Sequence, residues 1–344
     1  MPAPKAQPRK KINLALQGGG AHGAFTWGVL DHLLQDERLE IEGISGASAG
    51  ALNAVMLADG LARGGRAEAR KRLAEFWRGA SADGNLPRVQ RAVIDRLFSF
   101  FPFEGSPMTA WFDVVSQFIS PYDFNPLNIN PLKELIEKFV DFDAIQRCKE
   151  PQLFISATNV TTGRLRVFAG PKVTADVVMA SACLPTLFRA VEIDGVPYWD
   201  GGYSGNPTIT PLVRECDSHD TLLVAVNPVE RPGTPTSARE ILDRLNEVSF
   251  NATLLKELRM IALLRQVADP GSTEGRNWAE MRIHLIASKV LATLGASSKF
   301  NAEWDFLCML RDEGRRAAAA FLAANSDNIG RQSSVDLDVL LQQV

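Results

Sequence analysis

Short apolar runs alternate along this chain with longer segments whose apolar residues recur every three or four positions. The runs at 12–17, 41–45, 152–157, 222–226 and 281–286 predict strands, because each is short, apolar and bounded by turn-forming residues. Phe25, Val29, Leu30, Leu33 and Leu34 carry helical spacing, and the same period marks residues 173–182, 238–265 and 303–324. Residues 61–80, rich in Arg, Ala and Glu, predict a solvated helix. Residues 191–198 predict a hairpin turning at Asp194-Gly195, a pair suited to tight strand reversal, and 165–168 can pair beside it. The run at 222–226 is apolar throughout, as a strand buried on both faces of a parallel sheet must be. Strands alternating with helices predict an α/β sandwich around a mainly parallel sheet.

The 344 residues suffice for one large domain or two ordinary ones. A net charge of −3 argues against a nucleic-acid footprint. Four scattered cysteines form neither a Cys-x-x-Cys pair nor a metal spacing, and a reducing compartment fits. Residues 1–11 hold four Lys or Arg and three Pro and read as a disordered basic tail. The apolar stretch after it is too short for a signal peptide. A cytoplasmic protein is expected, with peripheral membrane contact through the basic tail set against a plain solvated tail. Residues 94–124 gather Phe98, Phe100, Phe101, Phe103, Trp111, Phe112, Phe118, Tyr122 and Phe124. This helical insert, about 85–140, reads as a cap over an apolar acyl site, as a surface that touches lipid, or as ordinary core, and these readings do not exclude one another. The expected organisation is a catalytic domain over 12–230 and a mainly helical extension over 231–344.

Two glycine-bearing turns lie between a strand and a helix. Gly46-Ala47-Ser48-Ala49-Gly50 fits a nucleophile elbow, in which small flanking residues permit a sharp turn and lift the Ser48 hydroxyl to a helix N-terminus. Alone, the pentapeptide fits a serine capping an ordinary helix equally well. Gly18-Gly19-Gly20-Ala21-His22-Gly23 exposes several backbone N–H groups and can cradle a phosphate or an oxyanion. It lacks the Gly-Lys-Ser/Thr of a Walker loop and the spacing of a dinucleotide fingerprint. Asp200-Gly201-Gly202 follows the hairpin and reads, by itself, as a turn aspartate. His22, His32, His219 and His284 are the histidines available to a serine triad, and none sits in a strong motif.

Taken in order, Gly18-Gly19-Gly20, Gly46-Ala47-Ser48-Ala49-Gly50 and Asp200-Gly201-Gly202 resemble the patatin-like phospholipase family. Ser181-Ala182-Cys183-Leu184-Pro185 and Asn206-Pro207 add to the likeness, which spans residues 12 to about 211. The resemblance implies a three-layer α/β/α sandwich and a Ser-Asp dyad that cleaves lipid acyl esters without metal or organic cofactor. It implies Ser48 as nucleophile and Asp200 as base. Gly18, Gly19 and Gly20 would be oxyanion donors, with Gly46, Gly50, Gly201 and Gly202 shaping the turns. Many members carry Arg or Lys where this chain has His22, so His22 is expected either as a support behind the site or as a structural contact. The implied partner is a lipid or acyl-ester substrate of phospholipase A or lysophospholipase type. Neutral esters, thioesters and storage polyesters suit the same dyad, and an idle binding module or a phosphate-binding protein would keep the same glycines.

Overall fold

The computed structural model describes residues 9–81, 121–124, 130–337 and 339. The aromatic cluster expected as an insert falls almost wholly outside these residues, as does the tail before Arg9. Among these residues eight strands form one sheet: β1 Lys10–Leu16, β2 Leu39–Gly46, β3 Gln152–Asn159, β4 Leu165–Ala169, β5 Val191–Ile193, β6 Val196–Asp200, β7 Asp220–Val224 and β8 Arg282–Ile286. Among the helices are α1 Gly23–Leu33, α2 Ala49–Ala80, α3 Pro131–Phe139, α4 Ala175–Ser181, α5 Ala238–Val267 and α6 Trp304–Asn325. Strand β1 begins at Lys10, so two residues assigned to the basic tail belong to the sheet. Helix α2 joins the helix after the elbow to the one expected at 61–80, through a non-helical Gly65.

Strands β3, β2, β1, β7 and β8 run parallel in that order. Alternation along each strand feeds two cores. Leu14, Leu16, Ile155, Leu222 and Val224 join α1, α2, α4 and α6 on one face. Ala15, Phe154 and Leu223 join α5 on the other. The result is a three-layer α/β/α sandwich with a mixed, mainly parallel sheet. Helix α1 is wedged between sheet and α6 with little room. A Cβ at Gly28 would lie 1.8 Å from the Arg311 carbonyl oxygen, and one at Gly314 would lie 2.0 Å from that of Phe25. Trp27 stacks between Trp77 and Trp304, and Asp31 holds Arg70 and Arg315 at 2.9 and 2.7 Å.

Two features of topology set the site. The chain winds outward from β1 through β2 to β3, then returns to β1's other side as β7. The crevice at the carboxyl ends of β1 and β7 is therefore a switch point, where open α/β sheets bind ligands. Further along, β3 pairs with β2 at residues 152–155 and with β6 at residues 157–159, while β4 occupies its opposite edge. Strands β2 and β6 thus follow one another along a single edge of β3. The second begins where the first turns away.

Candidate active site

Gly46, the last residue of β2, is paired with Ile155, and Asp200, the last of β6, with Ala157. Both strand ends meet at one place on β3. The chain leaves β2 through a turn too tight for side chains: a Cβ at Gly46 would lie 2.7 Å from the Gly50 carbonyl, and one at Gly50 would lie 2.0 Å from the Leu16 oxygen. Ser48 takes φ 53° and ψ −126°, a conformation that side chains rarely adopt. Strain of this kind, about 1–3 kcal/mol, persists only where the surroundings impose it. Here the Ser48 N–H donates to both the carbonyl and the hydroxyl oxygen of Ser181, at 3.1 and 3.0 Å. Although Ser48 sits at the N-cap of α2, its side chain makes no capping bond. The plain reading of Ser48 as a helix cap therefore fails. Its hydroxyl is left over for another task.

Asp200 is wholly buried at the start of a short turn, Gly201–Tyr203. The Gly202 N–H donates to its Oδ1 at 2.7 Å, while Oδ2 has no hydrogen-bond partner among the described residues. Asp200 is thus a turn aspartate, but with only half its carboxylate engaged. Burial pushes its pKa up to about 7, against smaller opposing effects from Gly202 and from the nearby Ser48 hydroxyl. The Ser48 side chain is close enough to stabilise the carboxylate without forming a full hydrogen bond.

The glycine loop closes the third side. A Cβ on Gly18 would meet Ser48 Cβ at 2.6 Å, so only glycine lets this backbone lie against the serine. Of the three amides expected as oxyanion donors, that of Gly18 is occupied: it donates to Asn206 Oδ1 at 2.7 Å. The Gly19 and Gly20 amides have no partner among the described residues. Buried polar side chains hold the loop from behind. Gln17 Oε1 accepts from the Val226 and Asn227 amides, both at 2.8 Å, and its Nε2 donates to Asn251 Oδ1. Asn227 Nδ2 donates to the Gly18 carbonyl at 2.7 Å, and Lys299 Nζ donates to Asn227 Oδ1 at 2.6 Å. Burial lowers the Lys299 pKa, although Glu247 and Asp243 act to raise it.

His22 is buried, its Nε2 lies 2.7 Å from Ser298 Oγ, and burial with the nearby Lys299 charge pushes its pKa down to about 3. It is therefore a neutral ring in a structural contact behind the loop. The histidine alternatives to Asp200 are engaged elsewhere. His219 meets Glu280 and Asn277, and His284 meets Asp220 at the opposite end of the sheet. His32 lines a surface cavity with Gln35 and Asp36. No cluster of side chains able to hold a metal ion occurs among the described residues.

Gln17, Asn227, Asn251 and Lys299 were not singled out from the sequence. Gln17 and Asn227 had a faint signal, each a polar residue closing an apolar strand at its carboxyl end. Asn251 and Lys299 had none, because their role depends on distant segments meeting.

The sequence pattern of the patatin-like phospholipase family matches residues 14–213, more than half of the chain. The protein therefore belongs to the patatin-like phospholipase family, and its class is that of the lipid acyl hydrolases. No curated protein matches it by sequence. Among solved structures it is similar to VipD from Legionella pneumophila, at 16% identity and a TM-score of 0.41, covering 93% of this chain and 67% of that one. It is also similar to the type III effector protein ExoU, at 14% identity and a TM-score of 0.33. That likeness covers 92% of this chain and 53% of ExoU, so the chain spans about half of ExoU's length. Among the described residues no helix is long and apolar enough to cross a membrane.

Proposed function

We propose that the protein is a serine acyl hydrolase of phospholipase A or lysophospholipase type, working through a Ser48–Asp200 dyad. The observation that carries this reading is the pairing of a strained serine, whose hydroxyl caps nothing, with a buried aspartate that keeps one oxygen unpartnered. A serine hydroxyl is a poor nucleophile until a base takes its proton, and an ordinary carboxylate is too weak a base. Burial corrects the second point by bringing Asp200 to about 7. Ser48 Oγ attacks the acyl carbon as its proton passes to Asp200 Oδ2. The carbonyl electrons move onto oxygen, beside the Gly19 and Gly20 amides. Collapse expels the alcohol, which takes the proton from Asp200. A water molecule then gives a proton to Asp200 and its oxygen to the acyl group, and Ser48 recovers its proton on release of the acid. Losing one oxyanion donor costs about 3 kcal/mol of barrier.

The expected organisation still serves this reading, with the catalytic machinery within 12–230 and a helical extension behind it. That extension contributes β8 to the sheet and Lys299 to the loop support. A second reading, the hydrolysis of neutral esters or thioesters by the same dyad, draws on His22. Its neutral ring offers no charge for an anionic headgroup.

The test is a hydrolysis panel of phosphatidyl lipids, lysolipids, neutral glycerides and soluble esters, with Ser48→Ala as control. Release of fatty acid from phosphatidyl substrates, absent in Ser48→Ala, is the expected result. Turnover of neutral esters alone favours the second reading. Hydrolysis undiminished in Ser48→Ala rejects the dyad.

A further inference from the structure

Helix α5 inverts the usual arrangement of a surface helix, since a long strip of its outward side is apolar. Ile241, Leu242, Leu245, Val248, Met260, Leu263 and Val267 are all exposed, Leu245 by 60% and Val267 by 66%. At 3.6 residues per turn they fall along one stripe. At 1.5 Å per residue the stripe runs about 39 Å.

Its charges are one-sided. Lys256 and Arg259 lie within the stripe, and neither forms an ion pair among the described residues. The helix's acidic residues, Glu240, Asp243, Glu247 and Glu257, all turn to the other side, where Glu247 binds Arg231 and Arg244 and Glu257 accepts from the Ile209 and Thr210 amides. A surface that exposes apolar side chains beside cations without a compensating acid fits an anionic apolar partner.

The same helix is fixed to both halves of the candidate site. A Cβ at Gly202 would lie 2.3 Å from the Phe250 ring, which also packs on Tyr203 with centroids 5.1 Å apart. Asn251 bonds Gln17, the residue before the glycine loop. Phe250 and Asn251 belong to the inner face of α5, opposite the stripe, so the helix lies between the site and whatever the stripe meets.

We propose that the outer stripe of α5 is a docking surface for anionic lipid bilayers, lying in the interface with Lys256 and Arg259 at the headgroups. The inference rests on the hydrolase reading for its purpose, though binding is measurable apart from catalysis. Vesicles of phosphatidylcholine, alone or mixed with phosphatidylglycerol, are sedimented with the full chain and with Ser48→Ala. Both proteins are expected in the pellet with mixed vesicles. Removing both cations as Lys256→Gln/Arg259→Gln should weaken binding to mixed vesicles about thirtyfold and leave the neutral ones unaffected. Leu245→Glu/Leu263→Glu should abolish binding to both.

The proposal is overturned if wild type stays in the supernatant, if the folded variants bind as wild type does, or if wild type is a dimer that Leu245→Glu/Leu263→Glu splits. Should that variant not fold, the cation pair decides alone. Soluble-ester hydrolysis separates the two ideas. Vesicle binding without any Ser48-dependent hydrolysis sinks the functional reading and leaves the docking surface standing. Hydrolysis of soluble and bilayer esters alike, undiminished by stripe variants, sinks only the docking surface.

Discussion

Two aspartates, both almost wholly buried and both at strand ends of the same sheet, have opposite characters. Asp220, at the amino end of β7, accepts from Arg282 at 3.0 and 2.7 Å, from His284 at 2.9 Å and from the Gly330 amide at 2.9 Å. Burial alone would raise its pKa, but these donors outweigh burial and hold the carboxyl well below the usual range. Asp200, at the carboxyl end of β6, has one amide donor and an open oxygen, and burial prevails. Depth does not distinguish them. The number of donors does, and the aspartate left incomplete is the one beside the serine.

The largest effect that could break this contrast is catalytic. Asp200→Asn should lower hydrolysis about a thousandfold or more, the scale of general acid–base assistance, while unfolding measurements show an intact fold. Full activity would reject the dyad. The same substitution removes a buried charge, so it should raise stability at pH 8 by up to roughly 4 kcal/mol, read from urea unfolding. Asp220→Asn should do the reverse, lowering stability by about 3 kcal/mol while activity per folded molecule stays near wild type.

The pH dependences should differ in sign as well. Asp200 has a folded pKa above its unfolded one. Its contribution to stability is fully present below the unfolded value near 4 and is lost as pH rises through about 7. Asp220 has a depressed folded pKa, so its contribution is present above its unfolded value and is lost as pH falls. Catalysis follows Asp200: kcat/KM should rise with pH and level off above about 7, and a midpoint near 4 would contradict the buried base. The smallest effects come from behind the loop. Lys299→Met should lower kcat about tenfold with little change in KM, since it loosens the Asn227 hold on Gly18 rather than removing a donor. His22→Gln should be milder still and should leave the pH profile unmoved, because the ring is already neutral.

The sheet was legible because its strands carry their own marks: apolar runs, Asp194-Gly195 at a turn with φ of 52° and 75°, glycines where strands end. The short helices Phe142–Arg147 and Thr210–Glu215 were not read, since six residues are too few to establish a period, and Thr273–Ala279 is polar apart from Gly275, Trp278 and Ala279. At the site, Ser48 and the three glycines stood out through local chemistry, and Asp200 only in their company. The occupied Gly18 amide was invisible, because it depends on Asn206, 188 positions away. Lys299 was hidden in the same way, by a contact spanning 72 positions.

Because β2 and β6 lie end to end along one edge of β3, that strand acts as a ruler for the reaction. Neighbouring residues of a strand face opposite sides of a sheet. Inserting one residue between Gly195 and Asp200 would leave the hairpin able to form yet carry the carboxylate to the far face, where no serine waits. Homologous chains should therefore tolerate length changes in the loops around this pair far more readily than in the five residues of β6.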